Sequence, residues 1–189
     1  MGERGDTVDR DDSVLFSGAA GGTEAEFGAL AERYGLDEVN YTFEGHNDAR
    51  TRGLRVLTRA ELRQGDMNLA YVSRLMNRRY PETPLFRKVL QCIWHQVNSG
   101  QEIFVVGKLN PDKTVTGGTG IAAEYAKLFN KPLFVFDQER DAWFVWRGDD
   151  WAATKDPVIT RPHFTGTGTR FLRDNGRAAV SALLRRTLG

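Results

Sequence analysis

Apolar residues follow two periods along this chain. Short runs bounded by glycine or polar residues, "SVLFS" (13–17), "EVNYTF" (38–43), "EIFVVG" (102–107) and "PLFVFD" (132–137), predict buried strands. Between them the apolar positions recur at helical spacing. In "TEAEFGALAERYG", Phe27, Leu30, Ala31 and Tyr34 share one face, and Gly35 stands where a helix stop belongs. Thr58 and Glu61 have capping-box spacing for a helical region reaching about Tyr80, with a break near Gly65. Pro81 and Pro84 punctuate, and "LFRKVLQCIWHQVNSG" predicts a helix that Gly100 ends. "AWFVWR" (142–147) follows "PLFVFD" across the polar "QERD", the pattern of an edge hairpin. A Pro-marked loop and the Gly/Thr-rich "HFTGTGTR" then precede a closing helix, "DNGRAAVSALLRRTL". Strands alternating with helices predict an α/β fold, its sheet mostly parallel and covered by helices on both faces.

Composition narrows the class. The 189 residues suit one well-buried domain, and 40% hydrophobic with 27% charged residues is ordinary for a soluble globular protein. A formal net charge of +1 gives no long-range electrostatic case for nucleic acid or a membrane surface. Arginines cluster between Arg50 and Arg55 and between Arg74 and Arg79, and read as solvated helix faces. The lone Cys92 excludes an intramolecular disulfide and a Cys-rich zinc site, and His46, His95 and His163 lack ligand spacing. Neither a metal nor a cofactor is therefore expected. No apolar run approaches the roughly 18 residues of a membrane span. Residues 1–12 are polar and lack a signal-peptide core, so they are expected to be a disordered lead-in, with 13–189 as the single domain and the cytoplasm as its place.

Glycine-bearing turns fall at the carboxyl ends of predicted strands, where open α/β sheets bind phosphates. The densest is "TVTGGTG" (114–120), whose Gly117, Gly118 and Gly120 let a ligand approach bare backbone as Thr119 opens a helix. Thr116 and Thr119 add hydroxyl donors. Glu124 lies one turn further on. It is either a helix-stabilising charge, worth about 0.3–1 kcal/mol in a first turn, or a reagent. His46, in the turn after the second strand, is either a contact for a base or ribose or a surface-loop histidine. Cys92 has no dependable base for nucleophilic work, and a buried core cysteine is the commoner state.

The stretch from Thr116 to Glu124 resembles the "PGGxGTxxE" signature of the lonely-guy phosphoribohydrolases, within the SLOG superfamily of Rossmann-like nucleotide-binding proteins. Glycines match at 117, 118 and 120 and the glutamate at 124; Thr116 replaces the proline and Ile121 the threonine. "FSGAAGGTEAEFG" is similar to the first glycine turn of such proteins, with Glu24 at its acidic position, and "HFTGTGTR" to their last. The resemblance covers most of the chain from Val14 onward. It implies a Rossmann-like nucleotide-binding domain and a homodimer. Ser17, Gly18, Gly21, Gly22, Gly168, Thr169 and Arg170 then join the binding residues, with Glu124 and next Glu24 as catalytic carboxylates. One departure counts against plain lonely-guy activity: the Arg-Lys pair expected on the helix before the central strand falls at Cys92 and Ile93. Two functions follow. One is an enzyme acting at the N-glycosidic bond of a nucleotide-like molecule, with a carboxylate supporting an oxocarbenium-like state. The other is a non-catalytic sensor or carrier of a nucleotide-derived ligand.

Overall fold

A computed structural model describes residues 8–80 and 83–189. Eight strands form one sheet in the order β3-β2-β1-β8-β4-β5-β6-β7. The strands β1 (Val14–Gly18), β2 (Asp37–Thr42), β3 (Leu54–Val56), β4 (Glu102–Gly107), β5 (Leu133–Asp137) and β8 (His163–Gly168) pair in parallel. β6 (Ala142–Trp146) and β7 (Trp151–Thr154) add an antiparallel edge. The expected hairpin is thus three strands rather than two. Six helices cover the sheet: α1 (Thr23–Tyr34), α2 (Arg59–Arg63), α3 (Asp66–Leu75), α4 (Pro84–Ser99), α5 (Thr119–Leu128) and α6 (Asp174–Leu188).

Side-chain alternation along the central strand β4 separates two cores. Phe104 and Val106 pack with Phe27, Leu30, Val180 and Leu183 of α1 and α6. Ile103 and Val105 pack with Val72, Leu90, Val97, Ile121 and Tyr125 of α3, α4 and α5. All six residues of β4 are buried, which explains its unbroken apolar reading. Local signals hold at the helix ends. Gly35 closes α1 in the left-handed conformation (φ 75°), and Thr58 and Glu61 complete the capping box of α2. The break near Gly65 separates α2 from α3.

Other segments differ from expectation. "HFTGTG" is a central strand, β8, lying between β1 and β4; its small residues let α1 pack closely. A Cβ added at Gly166 would stand 2.4 Å from the Phe27 ring. Arg50 and Arg52 do not belong to a solvated helix face. They close on the buried Glu38 at 2.6 and 2.9 Å, where Asn40 also donates to its carboxylate. Burial alone would raise the Glu38 pKa, but these hydrogen bonds together hold it below the usual carboxylate value. Of the expected disordered lead-in, 1–7 lie outside the described residues. Within 8–12, Val8 packs on the core and the Arg10 guanidinium donates to the Leu188 carbonyl.

Gly166→Ala is expected to destabilise the fold by about 1–3 kcal/mol, since the methyl overpacks against Phe27. Urea unfolding measures it, and an unchanged midpoint would show that α1 has room to move.

Candidate functional site

The strand order reverses between β1 and β4. From β1 the chain runs through α1 to β2 on one side, and from β4 through α5 to β5 on the other. Beyond the carboxyl ends of β1, β8 and β4 lies a cleft of about 690 Å³, at the position where open α/β sheets receive ligands. Three glycine-bearing segments meet there: 18–21 after β1, 116–119 before and into α5, and 168–170 after β8.

Of the expected residues, Gly18, Gly21, Glu24, His46, Thr116, Gly117, Gly118, Thr119, Gly168, Thr169 and Arg170 line this cleft. Gly117 takes φ 71° and Gly118 opens α5. The N–H groups of Gly117, Gly118 and Thr119 donate to no acceptor among the described residues, whereas those of Gly120 and Ile121 reach the carbonyls of Gly117 and Gly118. Free donors at the positive end of a ten-residue helix make an anion cradle. Lys108, Arg170 and Arg173 bring cations to the same cleft, and Glu139 brings a carboxylate that pairs with Lys108 at 2.9 Å and Arg173 at 3.9 Å.

Four expected residues do not reach the cleft lining. Ser17 is fully buried, its Oγ donating to the Gly166 carbonyl at 2.5 Å. Gly22 (φ 85°) lets the turn after β1 pack on the Arg170 backbone, 2.5 Å from where a Cβ would lie. Gly120 faces the Val115 carbonyl at 2.3 Å by the same measure. Glu124 pairs with Lys127 at 2.7 Å, and that ammonium lies over the Trp146 ring, 4.0 Å from its centroid. The glutamate of the motif is thus held toward the β6–β7 edge.

Glu24 occupies the floor instead. It is 7% exposed, and accepts from the Ala20 N–H at 3.2 Å and the Thr167 hydroxyl at 2.9 Å. Burial raises its pKa above the ordinary 4.5; the hydrogen bonds and the nearby His46 only partly offset this. Sequence reading did not single out two of its neighbours, Thr167 and Gln96. Thr167 lies in "HFTGTGTR", which the sequence marks as a glycine turn and the structure shows to be a strand up to Gly168.

On the facing wall, His46 Nδ1 lies 2.6 Å from Asp48 Oδ1, and the Thr42 hydroxyl donates to the same oxygen at 2.6 Å. A carboxylate only accepts, so Nδ1 carries the proton and Nε2 is left for the cleft. Asp48 was also missed, although "HND" in a post-strand turn places a carboxylate two residues from His46. Cys92 lines the cleft but is buried, and burial above all, with the carboxyl groups of Glu24 and Asp48 nearby, pushes its thiol pKa far up. It stands there as a thiol, not a thiolate. Among the described residues no group of three or more His, Cys, Asp or Glu could hold a metal ion, and no helix is long and apolar enough to cross a membrane.

A carboxyl group with a raised folded-state pKa stabilises the fold below its ordinary value and loses that contribution as pH rises through the folded value. The melting temperature of Glu24→Gln minus that of the unmodified chain should therefore increase as pH rises above the ordinary carboxyl value of 4.5. A constant difference would mean that Glu24 is not desolvated.

No protein-family model matches the chain, and no curated protein matches it. Among solved structures it is similar to a protein of Syntrophus aciditrophicus described as a "putative molybdenum carrier protein". The two share 14% identity with a TM-score of 0.54, over 95% of this chain and 96% of the other. At that identity the likeness shows a shared fold: a mixed α/β domain with a mostly parallel sheet, an antiparallel edge and flanking helices.

Proposed function

We propose that the protein binds a nucleotide-derived, phosphate-bearing small molecule in this cleft and carries or senses it without cleaving it. The observation that carries this reading is the cradle of three N–H groups at the start of α5, unpartnered among the described residues, in a cleft that Lys108, Arg170 and Arg173 also line. An anion held there meets backbone donors, a helix dipole and guanidinium forks together. The carboxylate first expected to do chemistry, Glu124, is turned away and ion-paired. The description of the structural neighbour as a carrier agrees with this reading. A metal cargo would have to enter as part of an anionic ligand, since the described residues offer no cluster of three metal-ligating side chains.

The catalytic alternative, action at an N-glycosidic bond, keeps one specific observation in its favour. Glu24, whose pKa burial raises, and His46, oriented by Asp48, share the cleft, and a carboxyl group with an oriented imidazole is a pairing that general acid–base chemistry uses.

Nucleotides, dinucleotides and sugar phosphates should raise the melting temperature; a ligand at 100 times its Kd adds about 2.7 kcal/mol. Chromatography of the same mixtures should find no freed base. Gly118→Val should weaken binding at least about tenfold, or 1.4 kcal/mol, and cost less than that in stability. Its backbone is ordinary (φ −61°), and a Cβ there would touch Phe86 and Leu90 at 3.6 Å. Absence of any shift across the panel would end the phosphate-cradle reading, and base release that Glu24→Gln abolishes would restore the enzyme.

A further inference from the structure

A second hollow, of about 700 Å³, opens between α3 and α4 on the other side of the glycine turn. Among the described residues, Arg74, Arg78, Arg79 and Arg87 line it against a single carboxylate, Asp66, with the hydroxyls of Ser73 and Tyr80 among them. In a chain of formal net charge +1, so much charge of one sign in one place calls for a cause.

Helix dipoles supply only part of it. Arg74 lies in the last turn of α3, where a cation is favourable. Arg87 ends the first turn of α4, a sixteen-residue helix whose first turn holds no acidic residue, and there a cation is unfavourable. Asp66 answers Arg87 at 3.1 Å, but it also accepts from Gln91 Nε2 at 2.7 Å. Arg78 is pinned by neutral acceptors: its Nη1 donates to the Val115 carbonyl at 2.7 Å and its Nη2 to the Thr114 hydroxyl. Among the described residues neither Arg74 nor Arg79 has an ion-pair partner. Among the described residues, four guanidiniums thus line the hollow against one carboxylate.

We propose that this hollow is a second anion site, separate from the cleft, for a small multiply charged anion of the phosphate type. Guanidinium forks bind phosphate oxygens in bidentate fashion, and one of these forks is held rigid before the anion arrives. The site backs onto the cleft's own glycine turn. Arg78 holds the Val115 carbonyl, and the Tyr80 hydroxyl lies 3.4 Å from the Gly117 carbonyl. The proposal does not rest on the cleft binding anything.

The test is titration of the full chain with inorganic pyrophosphate, followed by amide chemical shifts of α3, α4 and residues 73–80. Saturable shifts are expected there. The double variant Arg74→Gln/Arg79→Gln should lower that affinity at least about tenfold, the charge-keeping Arg74→Lys/Arg79→Lys should retain more of it, and Arg170→Gln at the cleft should leave it unchanged. Two results would overturn the proposal. One is no shift in this region, or equal affinity in the double Gln variant. The other is a short single-stranded RNA that binds more tightly than pyrophosphate and loses that affinity in the same double variant.

Discussion

Backbone meets backbone where β1, β8 and β4 end, and the cleft depends on that contact. The Thr23 N–H and hydroxyl both donate to the Thr169 carbonyl, at 3.1 and 2.8 Å, and the Thr169 N–H donates to the Val106 carbonyl at 2.9 Å. Side chains have no room between these segments: a Cβ at Gly168 would lie 2.4 Å from the Val106 carbonyl oxygen. The turn after β1 and the exit of β8 are thereby locked to the end of the central strand. The turns that end β1 and β8 bring backbone to the cleft, and backbone held in this way loses little further freedom when a ligand binds.

Buried carboxylates show which parts of the molecule are structural. Glu38 is closed by Arg50 and Arg52. Glu102 accepts from the N–H and hydroxyl of Thr160 and so ties the loop before β8 to β4. Asp137 accepts from the N–H groups of Leu109, Glu139 and Arg140 and fixes the loops beyond β4 and β5. Glu24 differs from all three in lining an open cleft. Glu24, whose pKa burial raises, lies at the floor, and Lys108, Arg170 and Arg173 stand at the rim, so an anionic group is favoured at the rim rather than beside the Glu24 carboxyl.

Much of this was legible in the sequence because it rests on local rules. Strands β1, β2, β4 and β5, the stop at Gly35 and the capping box at Thr58 are set by apolar runs and by neighbours within a few residues. The glycine turns were legible for the same reason, since strand–glycine–helix is a local pattern. β8 was not, because Thr and Gly look like loop residues until the packing of Phe27 onto Gly166 gives them a role. The place of Glu124 depends on which way α5 is rotated, and Lys127 with Trp146 and Trp151 decides that across the sheet edge. The orientation of His46 by Asp48 and the convergence of four arginines between α3 and α4 are likewise tertiary facts. Spacing along one chain does not encode them.

The central claim is that the cleft retains an anionic, nucleotide-derived molecule intact. Native mass spectrometry of the protein as purified, followed by denaturation and identification of what is released, tests it most directly. The account predicts one phosphorylated small molecule bound in the cleft and recovered unaltered. Recovery of a free base and a sugar phosphate would contradict the carrier reading, and a retained molecule lacking any anionic group would contradict the account of the cleft itself.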